Sequence, residues 1–399
     1  MDFALNEDQR AFAEAAMQFA QEQLAPNAAH WDENQVFPKD VLRQAGEMGF
    51  LSLYVPEEAG GLGLARLDSS IVFEQLAMGC TSTTAFMTIH NMVSWMIASF
   101  ATETVRNKYC PKLVTGELLA SYCLTEANAG SDAASLTTTA VIQGDHYILN
   151  GAKAFISGAG DTDVLVVMAR TASNDVKGSD TKENKSQENN AKAISAFVVP
   201  ADADGISYGR KEPKMGWNSQ PTRAVTFSNV SIPAENLLGQ EGEGFKFAMK
   251  GLDGGRINIA SCSLGTAQQA LNNAKQYVSE RKQFGKPLSA FQTVQFSLAD
   301  MTTELVAARQ LVRYAAFKLD QGDPEATAYC AMAKRFATDV GFKVCDKALQ
   351  LYGGYGYIKE YPLERYFRDV RVHQILEGTN EIMRLIISRR VLAEGAELL

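Results

Sequence analysis

Residues 294–319, VQFSLADMTTELVAARQLVRYAAFKL, decide the fold. Val294, Leu298, Met301, Leu305, Ala308, Val312, Ala315 and Leu319 step alternately by four and three residues. That alternation lines one face of a long helix with apolar groups, and such a face is buried only against other long helices. Three neighbours fit. One carries Leu264, Ala267, Leu271, Ala274 and Val278 at the same spacing and stops before Gly285 and Pro287. A second runs from about Pro324 to Leu351, and the last begins after Gly378. Together they predict a C-terminal four-helix bundle whose outer faces suit further association.

Upstream, residues 1 to about 118 also read as helical. Asn6 and Gln9 have the spacing of a capping pair. Phe12, Ala16, Phe19 and Ala20 mark a helix face, Pro26 and Pro38 bracket breaks, and Pro56 to Gly63 is a glycine-rich loop. Helical patterns follow around Asp68–Met78 and Thr83–Ala101. The second is apolar nearly all round, which predicts a buried helix or a pocket wall, with core favoured.

Between these parts the period changes. Val141-Ile142, Gln143-Gly144-Asp145 and Tyr147-Ile148-Leu149 read as a hairpin, with Asn150-Gly151 as the next turn. Val164–Met168, Ile194–Val199 and Ala224–Phe227 are further strand candidates, and no long helix interrupts them. The polar run 171–193 balances four acids against four lysines and reads as a solvated loop. The expected class is α+β, mainly α: a helical domain over 1–119, a β-domain over 120–234 and a helical bundle domain over 235–399.

Composition narrows the function. The net charge is -8 with no lysine-arginine block, which argues against nucleic acid or an anionic membrane as partner. No apolar run approaches a membrane span. The six cysteines form no C-x-x-C pair and read as buried free thiols of a reducing compartment. None of the four histidines has a metal-site spacing, so no metal is expected. The start of the chain has no signal or transit character, which predicts a bacterial cytoplasmic protein, or a mitochondrial matrix protein if a presequence was removed.

Several stretches could carry chemistry. In Gln374–Ile382, Glu377 sits between aliphatic residues and a glycine at a helix entrance. Desolvation would make it a strong base, or it could simply complement the helix dipole. Thr125–Asp132 is a small-residue polar loop. Phe155 and Ser157, two apart on a strand, could face a planar heterocycle or belong to ordinary core. Gly353, Gly354 and Gly356 permit close backbone approach, as a pyrophosphate requires, or a tight turn. Gly239, Gly242 and Gly244 lack a βαβ context, so no dinucleotide fold is expected.

Taken together, Cys123–Glu126 with Gly130–Asp132, Arg281-Lys282-Gln283-Phe284-Gly285, Gly353–Tyr357 and Leu376–Thr379 resemble the acyl-CoA dehydrogenase family of flavoenzymes. The likeness spans the chain except the 171–193 loop. Gly216–Ala224, Gly254–Cys262 and Arg371–Gly378 are most similar to its isobutyryl-CoA dehydrogenase branch, which serves valine breakdown. The resemblance implies Glu377 as the base that takes the α-proton of an acyl-CoA thioester, with hydride passing to FAD. The base's own backbone N–H would help polarise the thioester carbonyl. It implies FAD contacts from Tyr122, Cys123, Leu124, Thr125, Gly130, Ser131, Phe155, Ile156 and Ser157. Arg281, Phe291, Gln292, Gln350, Leu351, Tyr352, Gly353 and Gly354 would serve the FAD of a neighbouring subunit. Thr379, Asn380 and Glu381 would also lie against cofactor. Ser131, Asp253, Gly254, Gly255, Arg256 and Arg389 would face the CoA thioester. An electron-transferring flavoprotein and a homotetramer are implied as partners. Many members carry Trp and Thr where Phe155 and Ser157 stand. Isovaleryl-CoA dehydrogenases place their base at the position of Gly255, which disfavours that branch here. Butyryl-CoA and 2-methylbutyryl-CoA remain alternative substrates. A DNA-associated branch on the same fold is disfavoured by the charge.

Overall fold

The computed structural model describes residues 4–171, 191–393 and 395. Most of the polar 171–193 run lies outside the described residues.

The N-terminal part is six helices: α1 (Glu7–Phe19), α2 (Ala28–Asn34), α3 (Lys39–Glu47), α4 (Arg66–Gly79), α5 (Thr81–Phe100) and α6 (Glu103–Val114). Asn6 and Gln9 form the expected reciprocal cap of α1. α5 is buried nearly all round, as its composition predicts, and two of its polar side chains, His90 and Asn91, tie it to the neighbouring segments. Asn91 donates to the Phe50 carbonyl and accepts from the Leu53 N–H, both at 2.8 Å. The His90 ring accepts from the Ala120 N–H and therefore donates from Nε2 to the Leu113 carbonyl at 2.8 Å. Burial holds this histidine neutral, its pKa lowered to about 4.

The sheet contains β1 (Ala120–Cys123), β2 (Thr139–Gln143), β3 (His146–Ser157), β4 (Val164–Arg170), β5 (Ile194–Pro200), β6 (Ile206–Tyr208), β7 (Thr222–Pro233) and β8 (Leu237–Leu238). Their order is β6-β7-β3-β2-β4-β5-β8, with β1 alongside β4. β4 and β5 read as unbroken apolar runs because both faces are covered. Val164, Val166 and Met168 face α5 and α6, while Leu165, Val167 and Ala169 fill a second core inside the folded sheet. β8 lies beyond the expected domain boundary at 234 and still pairs with β5.

One expectation fails. Asn150-Gly151 is not a turn, because β3 runs straight through it between β2 and β7. The pair forms a bulge instead. Asn150 exchanges side-chain hydrogen bonds with Asn229, and a β-carbon on Gly151 would lie 2.5 Å from Thr138 Oγ1. A second register break precedes Ile156, where Phe155 adopts φ +58°.

The C-terminal part holds α7 (Gly244–Glu280), α8 (Gln292–Asp320), α9 (Ala326–Tyr352), α10 (Leu363–Arg371) and α11 (Asn380–Val391). Met301, Leu305, Ala308, Val312 and Ala315 of α8 enter the bundle core as their spacing requires. On α11 Met383 is buried, while Leu385 is exposed. No described helix is long and apolar enough to cross a membrane. All six cysteines are free and buried, and the described residues hold no cluster of metal-ligating groups.

Candidate active site

Glu377 lies in the short connection between the helical turn Val372–Gln374 and α11. It sits two residues before the helix cap, which is Thr379, whose Oγ1 accepts from the Ile382 N–H at 3.2 Å. The first-turn acid is Glu381, so the helix-dipole role belongs there rather than to Glu377. Glu377 has φ +55° and Gly378 φ +83°. Two consecutive left-handed residues turn the carboxylate inward to meet α7. No acceptor within the described residues takes the Glu377 backbone N–H.

Around the carboxylate the packing is close. A β-carbon on Gly255 would lie 2.5 Å from Glu377 Oε2. That oxygen is sealed from solvent and has no hydrogen-bond partner. Burial pushes the Glu377 carboxyl up to about 7, against the pull of Arg256 and Lys334. Arg256 is itself buried and bound to Asp253 at 2.5 Å, and Asp253 also accepts from Thr327. Tyr122 belongs to the same environment. Its hydroxyl is buried without a partner, and burial together with the Glu377 charge raises its pKa. Tyr54 accepts from Asn258, and Arg66 stacks on its ring at 3.4 Å. A β-carbon on Gly254 would lie 2.4 Å from an Arg66 nitrogen, so a side chain there would push the guanidinium aside.

The loop after β1 is held from below. Glu126 accepts from the N–H and hydroxyl groups of Thr137 and Thr138 and pairs with buried Lys153 at 2.9 Å. The Ala154 N–H donates to the Thr125 carbonyl. This scaffold leaves Gly130 and Ser131 exposed. Cys123 and Leu124 point into apolar cores, so only their backbone can meet a ligand. Phe155 is 70 % exposed, Ile156 is buried and Ser157 is half-buried, so the Phe155 ring stands out from the sheet rather than in its core.

The other expected cofactor residues gather elsewhere. Arg281, Gln350, Leu351, Tyr352, Gly353 and Gly354 line one cavity of about 410 Å³ with Tyr277 and Tyr355. β-carbons on Gly353 and Gly354 would meet nothing, so bare backbone faces open space. Phe291 packs edge-on to Phe284, which is 93 % exposed, and Gln292 is exposed beside it. Lys334, near Glu377, is 16 residues before Gln350 on α9, or ~24 Å along the helix axis. One chain therefore does not unite the two groups. Arg389 is exposed on α11. Asn380 is buried, and its side chain is taken up by Lys334, Thr338 and Asp339 of α9, so only its backbone could meet a cofactor.

Sequence reading missed Lys334, Trp217 and His373. Lys334 alone left a signal, a cation on the buried stripe of Cys330, Ala333, Ala337 and Val344. Trp217 and His373 come together only through the tertiary fold.

Residues 6–117, 121–230 and 242–392 match the N-terminal, middle and C-terminal domains of acyl-CoA dehydrogenase. The chain is 54% identical to the mitochondrial isobutyryl-CoA dehydrogenase of Dictyostelium discoideum and 52% identical to that of Bos taurus, over 97% and 98% of its length and 90% of theirs. The butyryl-CoA dehydrogenase structure from Megasphaera elsdenii superposes with a TM-score of 0.91 at 38% identity, covering 98% of this chain and all of that one. The chain belongs to the acyl-CoA dehydrogenase family.

Proposed function

We propose that the protein is an FAD-dependent acyl-CoA dehydrogenase that converts isobutyryl-CoA to methacrylyl-CoA in valine degradation. The observation that carries the reading is Glu377: a sealed carboxylate with basicity raised towards neutrality, facing a glycine where a side chain would block it. A thioester α-proton is weakly acidic, and a base near neutral pH suits its removal. The Glu377 backbone N–H, which no described acceptor takes, would donate to the thioester carbonyl while the side chain takes the proton, so one residue would serve both sides of the developing enolate. Burial of the acyl chain beside it excludes water and keeps the carboxylate basic.

The residues fit FAD. Exposed Phe155 offers a ring face, Ser157 a hydroxyl, and Tyr122–Thr125 with Gly130 and Ser131 backbone and small polar groups. When bound, the flavin supplies the acceptor for the hydride that leaves the β-carbon. The cavity of Arg281, Gln350 and the bare Gly353-Gly354 backbone suits a pyrophosphate. Its distance from Glu377 supports service to a neighbouring subunit's cofactor, with Phe291 and Gln292, in a homotetramer. Ser131, Asp253–Arg256 and Arg389 would meet the CoA moiety, and Thr379 and Glu381 the cofactor. An electron-transferring flavoprotein would reoxidise the protein. Buried free thiols accord with a reducing compartment, the bacterial cytoplasm or the mitochondrial matrix.

Anaerobic reduction of the yellow protein by isobutyryl-CoA, butyryl-CoA and 2-methylbutyryl-CoA tests the reading. The highest kcat/KM is expected for isobutyryl-CoA, above its straight-chain isomer butyryl-CoA and by roughly 10- to 200-fold over 2-methylbutyryl-CoA, which is one methylene larger. Absence of a yellow chromophore, or of bleaching by any of the three, would sink it.

A further inference from the structure

Lys334 is fully buried on α9, yet its ammonium is paired with no carboxylate among the described residues. Instead Nζ donates to the Gly378 carbonyl at 2.7 Å and to Asn380 Oδ1 at 2.9 Å. Both acceptors flank the turn that presents Glu377. The same helix grips that turn at further points. Asn380 Nδ2 donates to Thr338 Oγ1 at 3.0 Å and to Asp339 Oδ1 at 2.8 Å, and Gln374 donates to the same Asp339 oxygen at 2.8 Å. The connection from Gln374 to Asn380 is thus tied to α9 at both ends. Between the ties stand the left-handed residues Glu377 and Gly378. A non-glycine residue at positive φ is held there only by surrounding bonds.

We propose that Lys334 is a positioning residue for proton abstraction: its ammonium fastens the Gly378 carbonyl, locks Glu377 in its left-handed conformation and supplies a fixed positive charge behind the carboxylate. The proposal rests on the reading of Glu377 as the base.

The surroundings support a charge of this kind. The groups acting on Lys334 are Glu377 and Glu381 from the turn and α11, Arg256 from α7, and Asp339 from α9 itself. Those acting on Glu377 are Arg256 and Lys334. Arg256 is already engaged by Asp253, which leaves Lys334 as the cation of this pair without a carboxylate of its own. Burial lowers Lys334 to about 8, so it stays protonated at neutral pH. A cation at this place makes the anionic base easier to form, and it also resists the rise in basicity that burial imposes. Removing the charge should therefore raise the basicity of Glu377 further and free the turn to move.

The test uses the holoenzyme with Lys334→Met and Lys334→Arg, with Glu377→Gln in parallel. Flavin content, kcat and KM for isobutyryl-CoA, and the pH profile of kcat/KM are measured. For Lys334→Met, flavin content and KM are expected to stay within about threefold, while kcat falls ~10- to 100-fold as the base is misplaced. The acid limb of kcat/KM should move up by about one pH unit or more. For Lys334→Arg, the limb should stay at its wild-type position while kcat falls, because charge is kept and reach altered. A merely structural lysine would lower thermal stability and leave the limb in place, and that result overturns the proposal. If Lys334→Met does not fold, Lys334→Gln decides, since it can still donate to the Gly378 carbonyl but carries no charge: the limb must still move up, and a limb in place overturns the proposal. If Glu377→Gln still oxidises isobutyryl-CoA, the base assignment and the proposal both fall. If Glu377→Gln is inactive while Lys334→Met behaves as wild type, only the role of Lys334 falls.

Discussion

Gly255 of α7 and Glu377 are packed so closely that a β-carbon on the glycine would lie 2.5 Å from the carboxylate Oε2. The contact explains why one of these positions must be bare for the other to carry a base. Glu377 has little room to retreat, because its turn is tied to α9 on both sides. Gly255→Ala is therefore expected to fold and to retain flavin, since alanine suits a helix interior. It should displace the carboxylate by a fraction of an ångström to an ångström and slow flavin reduction by ~100-fold. Stopped-flow reduction with isobutyryl-CoA checks this, and an unchanged rate would show that the carboxylate works from another position.

Glu377→Gln is expected to keep the flavin and to lose bleaching by isobutyryl-CoA, by ~100- to 10,000-fold, the range for loss of a positioned base. Because burial pushes the carboxyl up to about 7, kcat/KM of the parent should fall below that pH with a single protonation. The same shift has a stability consequence. The folded chain binds this proton more tightly than the unfolded chain. The contribution to stability is therefore full below the unfolded value of 4.5 and lost as pH rises through about 7. Glu377→Gln should consequently raise stability at pH 8 by on the order of 3 kcal/mol, seen as a higher Tm, and change it little at pH 4.5. Equal effects at both pH values would contradict the buried, raised carboxyl.

How far this was legible in the sequence depends on the range of the interactions. The helix stripe Val294–Leu319 reports one face of one helix, and its centre, Met301 to Ala315, is where it predicts. Asn150-Gly151 misled because turn chemistry is local. The dipeptide that closes a hairpin also suits a bulge, and only pairing of β3 on both sides decides between them. Glu377 was recognisable as unusual from its apolar neighbours. That it faces Gly255, 122 residues earlier, is a tertiary fact. Asn380 looked available because it stands beside the cap Thr379, but α9 takes up its side chain, and no local spacing signals that contact.

Glu126 belongs to the Thr125–Asp132 loop, and the structure makes it the strut beneath that loop. Burial would raise its pKa, but Lys153 and the bonds from Thr138 and Thr137 outweigh that and bring it down to about 2. Lys153→Met leaves this carboxylate without its cation in a buried site, an outcome that costs about 3–5 kcal/mol where one partner of a buried pair is removed. The depressed carboxyl contributes stability above the unfolded value of 4.5 and loses it as pH falls towards 2. The variant should therefore unfold at a higher pH on acidification than the parent. The loop carrying Gly130 and Ser131 should loosen with it, so flavin retention after gel filtration is expected to drop. Retained flavin with unaltered acid unfolding would mean that the Thr137 and Thr138 bonds suffice alone.

Trp217 joins the β-domain to the turn that precedes Glu377. Its backbone N–H donates to Asp369 Oδ1 at 2.6 Å, and its indole N–H donates to His373 Nε2 at 3.3 Å. Ser263 gives its hydroxyl proton to the Ile259 carbonyl, so His373 must donate from Nδ1 to Ser263 Oγ, at 2.7 Å. One neutral tautomer satisfies every partner, and burial together with Lys334 lowers the pKa of the ring to about 3. Around this chain pack Ala77, Ala85, Ile259 and Cys262, with Leu376 against them. Trp217→Phe keeps an aromatic ring but leaves His373 Nε2 without a donor in a dry site and opens a gap beside Leu376. The expected cost is ~2 kcal/mol of stability, the loss typical of an unsatisfied buried acceptor. Because Leu376 adjoins the base, kcat should fall several-fold while flavin content is unchanged. Calorimetry and turnover measured on the same preparation check both halves. A lower Tm with full activity would confine Trp217 to holding the domains together and separate that role from the placement of Glu377.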